Sequence, residues 1–145
     1  MEGSETMPAF PLTGGCLCGR VRYEVTHPLV QAGYCHCTRC QRRTGTAASA
    51  SARVAPGSLR VVSGQELIKS WRPPDGFAKL FCAHCGGALW SQSQSDPTVI
   101  SIRLGTFDAD PGIRPSYRQF VAYAACWEPI PDDGLACFPE GRPAA

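Results

Sequence analysis

The segment Cys35-His36-Cys37-Thr38-Arg39-Cys40 places three thiols within six residues, and four of the six remaining cysteines stand in two further pairs, Cys16/Cys18 and Cys82/Cys85. Ordinary core packing rarely produces that density. The first residues, Met1-Glu2-Gly3-Ser4-Glu5-Thr6, are acidic and polar, without the basic region and apolar run of a secretory signal. No stretch approaches the roughly 18 apolar residues of a membrane span. The expected compartment is therefore the reducing cytoplasm, where clustered cysteines are read first as metal ligands and only then as disulfides.

A formal charge of +2 is too small to argue for nucleic acid or an anionic membrane, and no block of five or six like charges occurs. Seven ionised thiolates with two Zn²⁺ ions would bring that charge to about −1, which weakens a nucleic-acid reading further. Arg39, Arg42 and Arg43 form the one local basic concentration. At 145 residues a single domain is expected, large enough to bury a substantial core.

Residues 1–12 lack periodicity and read as a flexible arm, with a single zinc-binding domain over residues 13–145. Arg20-Val21-Arg22-Tyr23-Glu24-Val25 alternates charged and apolar residues and is the clearest half-buried strand. His27-Pro28 ends it. Further strands are expected over Leu59 to Val62, Gln65 to Trp71, Phe77 to Cys82, Val99 to Leu104 and Tyr117 to Ala124, with loop after Trp127. Ala47 to Val54 is small and polar and carries no clear signal. The chain reads as mainly β, with many short strands.

In an extended chain alternate side chains share a face, so Cys16 with Cys18, and Cys35 with Cys37, could each reach one ion. His36 would then face away. Thr38 could cap a helical turn that Gly45 stops, bringing Cys40 back over the pair. Cys82-Ala83-His84-Cys85-Gly86-Gly87 has the form of a zinc knuckle.

Structural zinc takes four protein ligands, whereas reactive zinc typically has three and an open position. Cys16, Cys18, Cys82 and Cys85 combine most simply into a closed site, leaving Cys35, Cys37 and Cys40 to hold a second ion with room for another ligand. A competing division gives Cys35 and Cys37 to the knuckle and Cys40 to Cys16 and Cys18. Three thiolates donate too much charge for strong activation of water, which argues against a hydrolase, but they leave the ion receptive to a soft fourth ligand. A thiol bound there would react as thiolate with a small carbonyl compound. Carboxylates on that thiol would find complementary charge in Arg39, Arg42 or Arg43.

The motifs Gly15-Cys16-Leu17-Cys18-Gly19-Arg20-Val21-Arg22-Tyr23, Cys35-His36-Cys37-Thr38-Arg39-Cys40, Gly57-Ser58-Leu59, Phe81-Cys82-Ala83-His84-Cys85-Gly86 and the late Trp127 and Phe138-Pro139-Glu140 resemble the glutathione-dependent formaldehyde-activating enzymes, a family that includes centromere protein V. The resemblance implies a β-tent, or Mss4-like, fold of small stacked antiparallel sheets. It implies one structural zinc on Cys16, Cys18, Cys82 and Cys85 and one catalytic zinc on Cys35, Cys37 and Cys40. The implied activity is that of a carbon–sulfur lyase condensing glutathione with formaldehyde to S-hydroxymethylglutathione. Three segments depart from the family pattern. Pro115-Ser116-Tyr117-Arg118-Gln119 stands for Pro-x-x-His-Ile, Cys126-Trp127 for Pro-Trp, and Leu135-Ala136-Cys137-Phe138-Pro139 for Leu-Pro-x-Phe-Pro.

The alternative to an enzyme is a non-enzymatic zinc module for protein contact, with the triplet purely structural. Outside the clusters, Cys126 and Cys137 are expected as small apolar fillers, and Tyr34, Trp71 and Trp127 as core.

Overall fold

The computed structural model describes residues 8–143. Among these, eleven strands run in chain order as β1 Leu12–Gly15, β2 Arg22–Val25, β3 Gln31–Cys35, β4 Ser49–Arg53, β5 Leu59–Ser63, β6 Ile68–Trp71, β7 Ala78–Cys82, β8 Ala88–Gln92, β9 Ile100–Arg103, β10 Tyr117–Gln119 and β11 Ala136–Phe138. One α-helix, α1, spans Thr38–Thr44. The fold is mainly β.

Strands β1, β2 and β5 form an antiparallel sheet in the order β1-β2-β5. The other eight form a larger sheet in the order β11-β10-β3-β4-β9-β8-β7-β6. This larger sheet is mixed, not wholly antiparallel as expected: β10 runs parallel to both β3 and β11. Parallel neighbours need a connection of a dozen or more residues. Sixteen residues separate β10 from β11, and a far longer path separates β3 from β10.

The core lies between the small sheet and one face of the large one. Val21, Tyr23 and Val25, the apolar half of the alternating segment, are fully buried beside Leu12. The large sheet supplies Ala32, Ala52, Leu89, Trp90 and Ile102 to the same cluster. Burial of each large side chain contributes about 1.5–3 kcal/mol. Tyr23 sits edge-on to Trp90 and Phe107, with ring centroids 6.0 and 5.8 Å away, and its hydroxyl meets Thr106 Oγ1 at 2.6 Å. A buried tyrosine thus has its polar tip satisfied.

Several expectations need correction. Leu12, placed at the end of the arm, is buried and opens β1, and Pro8 packs beside Gly112. Residues 1–7 lie outside the described part. Ser49–Arg53 is a strand at the middle of the large sheet, between β3 and β9. Its side chains are too small and polar to announce a strand, and its place follows from pairing on both edges. The stretch from Gln65 begins with a 3₁₀ turn and becomes strand only at Ile68; Tyr117–Gln119 likewise gives way to a 3₁₀ turn at Val121. Strand β11 lies in the stretch expected to be loop, completed by parallel pairing with β10. Trp71 and Trp127 are 52% and 64% exposed, so neither is core; Trp90 fills that role. Cys126 and Cys137 are exposed and fill no gap.

Candidate metal centres

All nine cysteines are free thiols, and seven gather into two clusters. The sulfurs of Cys16, Cys18, Cys82 and Cys85 lie within 4.8 Å of one another, as do those of Cys35, Cys37 and Cys40. The competing division, with Cys40 joining Cys16 and Cys18, does not occur.

Two turns build the four-thiol cluster. Cys16 and Cys18 occupy the turn between β1 and β2, not an extended segment: Gly19 N–H bonds to the Cys16 carbonyl at 3.2 Å, and Val21 N–H points at Cys16 Sγ at 3.3 Å. The second turn closes when Gly86 N–H bonds to the Cys82 carbonyl at 2.7 Å. A Cβ on Gly87 would stand 3.3 Å from both Cys85 Sγ and the Leu17 nitrogen, so glycine there lets the two turns meet. Cys16 and Cys18 sulfurs are 3.5 Å apart, and Cys18 and Cys82 sulfurs 3.9 Å. A tetrahedron with metal–sulfur bonds of about 2.3 Å has sulfur–sulfur edges of about 3.8 Å. The backbone N–H groups of Cys18 and Gly87 stabilise the Cys85 thiolate and bring its pKa down to about 6. These four residues fit a closed tetrahedral ion.

The three-thiol cluster is local. Cys35 ends β3, Cys37 stands immediately before α1, and Cys40 lies in the first turn of that helix. Cys37, not Thr38, is the capping residue: its sulfur accepts the Cys40 N–H at 3.2 Å. Gly45 adopts the left-handed conformation, φ 68°, and returns its N–H to the Gln41 carbonyl at 2.8 Å, ending the helix where the sequence indicated. The thiols compete for protons. Hydrogen bonds from Cys35 and Cys40, aided by backbone N–H groups, hold Cys37 far below the usual thiol range, and the same contacts push Cys35 up. Such a cluster can ionise completely only with a cation among the sulfurs, so the donor set fits a soft divalent metal.

His36 is buried and points away from the sulfurs, where Arg118 Nη1 donates to its Nε2 at 3.1 Å. Burial, then the charge of Arg118, hold this imidazole below its ordinary pKa, in keeping with its acceptor role. Arg118 also stacks on Tyr34 at 4.4 Å and pairs with Asp133 at 2.8 Å. Tyr34, His36 and Arg118, together with Glu128 and Pro129, line a cavity of about 430 Å³. Arg118 thus has a definite structural place at a position where the family pattern carries histidine.

The face of the large sheet turned from the core carries the three-thiol cluster. Register pairs Cys35 with Ser49, Ser51 with Arg103, Ser101 with Ser91 and Ser91 with Lys79, so one face presents all of these side chains. Arg103 spans it, donating to Ser51 Oγ at 2.6 Å and Ser91 Oγ at 2.8 Å. Helix α1 lies against this face. Of the three arginines singled out from sequence, Arg43 is half-buried there and reaches the Leu80 carbonyl at 3.4 Å. Arg39 is tied to Asp75 at 3.2 Å, and Arg42 is exposed. Lys79 and Arg103 were not anticipated. A cation inside an otherwise apolar strand, as at Ile100-Ser101-Ile102-Arg103, was the available signal.

The chain is a mainly β scaffold with one four-thiol and one three-thiol cluster, each of which could hold a metal ion. The family model for glutathione-dependent formaldehyde-activating enzymes matches residues 11–123, and the chain belongs to that family. A crystal structure of a Rhodobacter sphaeroides protein is similar, with 25% sequence identity and a TM-score of 0.57 over 88% of this chain and 99% of that one. No curated protein matches.

Proposed function

We propose that the protein is a zinc-dependent carbon–sulfur lyase of the cytoplasm, joining glutathione to formaldehyde to give S-hydroxymethylglutathione. Cys16, Cys18, Cys82 and Cys85 would hold a structural zinc, and Cys35, Cys37 and Cys40 a catalytic one. The observation that carries this reading is the difference in donor number between the clusters, four sulfurs against three. Family membership supports the choice of thiol and aldehyde.

Cys35, Cys37 and Cys40 would hold the zinc, which would supply positive charge for a substrate thiol to ionise near neutral pH instead of at its free pKa of about 8.5. The reaction balances without redox change: the sulfur bonds to the carbonyl carbon, the C=O π pair moves to oxygen, and the thiol proton ends there. The protein's part is chiefly positional. Arg39 fastens α1 to Asp75, and Gln41 Nε2 donates to the His36 and Tyr123 carbonyls at 2.8 Å each, so the helix that carries Cys40 and is capped by Cys37 is anchored from two sides.

Zinc stoichiometry combined with two-dimensional exchange NMR of glutathione and formaldehyde tests this reading on wild type and Cys40→Ser. Two zincs per chain and exchange faster than the uncatalysed rate are expected for wild type. The variant should keep its fold, hold about one zinc, and lose more than the roughly 10–100-fold that disturbing a ligand's own partner costs. Two tightly held zincs without acceleration would overturn the lyase reading in favour of a zinc-dependent interaction module.

A further inference from the structure

Arg43, Lys79 and Arg103 come from α1, β7 and β9 onto the face that carries the three thiols. Among the described residues, none of the three forms an ion pair with a carboxylate. Asp75, close to the same helix, is engaged by Arg39. The Nε atoms of Arg43 and Arg103 are buried with no hydrogen-bond partner, and Lys79 is only 9% exposed. Burial lowers the pKa of all three cations, and Arg103 and Arg43 lower that of Lys79 further by repulsion. Buried like charges of this kind are costly unless something of opposite charge joins them.

The thiol cluster does not supply enough. Three thiolates around a divalent ion leave one negative charge, which three cations outweigh by two. A substrate thiolate cancels one of these, and a carboxylate on the same molecule cancels the other. We propose that Lys79 and Arg103, with Arg43, form a carboxylate-receiving floor beside the three-thiol centre, and that the site selects thiols carrying at least one carboxylate over neutral thiols. Guanidinium groups suit this task because a carboxylate can accept two parallel N–H bonds from one arginine. Ser51 and Ser91, which hold Arg103 by its Nη atoms, are positioning residues for that contact. The inference rests on the three-thiol centre being a thiol-binding site.

Calorimetric titration of the zinc-loaded protein with 3-mercaptopropionate, 2-mercaptoethanol and propionate separates the contributions of thiol and carboxylate. Mercaptopropionate should bind about 10–100-fold more tightly than either of the others, the range expected for a charge-assisted hydrogen bond. Lys79→Met and Arg103→Gln should each narrow that gap, weakening mercaptopropionate more than mercaptoethanol, while leaving the two-zinc stoichiometry in place. Equal affinity of the two thiols for wild type would overturn the proposal, as would an undiminished gap in both variants. If Arg103→Gln loses zinc, Lys79→Met and the wild-type comparison still decide. Selective binding without acceleration of any aldehyde exchange would sink the lyase reading and leave this site standing. Acceleration with neutral and carboxylated thiols alike would do the reverse.

Discussion

The four-thiol cluster draws its sulfurs from two turns, Cys18 and Cys82 being 64 residues apart, whereas the three-thiol cluster takes all of its sulfurs from six consecutive residues. An ion in the first would therefore close a long loop and hold β1 and β2 against β7 and β8. An ion in the second would bind only β3 to the helix that follows it. The same chemistry would thus have different consequences: in one place it would tie the fold together, and in the other it would leave the fold largely indifferent. A reactive centre could be built at the second place because an open coordination position there would not endanger the core.

The sharpest test compares Cys82→Ser with Cys40→Ser. A structural zinc contributes about 10–16 kcal/mol of apparent binding free energy, comparable to or larger than the roughly 5–15 kcal/mol stability of a whole domain. Cys82→Ser should abolish the cooperative thermal transition followed by circular dichroism, and Cys40→Ser should retain it. Equal losses in the two variants would erase the distinction between the clusters.

Metal removal probes the same contrast without mutation. A moderate chelator should withdraw one equivalent of zinc with the circular dichroism unchanged, and the second only as denaturant unfolds the chain. Simultaneous release of both equivalents would mean that the three-thiol centre is as much part of the frame as the other.

A smaller effect is expected at Gly45, whose left-handed backbone ends α1 in open space, where an added methyl group would meet no heavy atom within 4 Å. Gly45→Ala should cost about 1–2 kcal/mol, the backbone penalty alone. A chemical-denaturation midpoint measures it, and zinc content should remain at two. The smallest effect concerns Asp108, which Arg22 and Thr13 hold below the ordinary carboxylate pKa. With its folded pKa depressed, Asp108 stabilises the protein fully above about pH 4 and loses that contribution as pH falls through the folded value. The pair is partly exposed, so Asp108→Asn should cost less than about 1 kcal/mol and flatten the acid limb of the stability profile.

The alternation from Arg20 to Val25 was legible because a sheet with one wet face imposes period two on its sequence, and all three apolar residues there are buried. Ser49–Arg53 was not, because a strand surrounded by neighbours can consist of small residues whose pairing is entirely non-local. Cys37 was legible as a ligand candidate but not as the helix cap, since thiol capping has no pattern apart from the thiol itself. Trp71 and Trp127 misled for a related reason: hydrophobicity states a preference for burial, not whether a neighbouring layer covers the residue.

By itself the sequence determined that this chain is mainly β, that its cysteines fall into sets of two, three and two, and that a glycine ends the turn carrying the triplet. Those properties depend on local spacing and backbone preference, which a chain carries wherever it goes. Only the tertiary structure decided that the two pairs meet and that Lys79 and Arg103 stand on the same face as Cys35. Those neighbours are made by sheet register across strands far apart in the chain. Register is set by the sum of the core contacts on the opposite face, and no single segment records it.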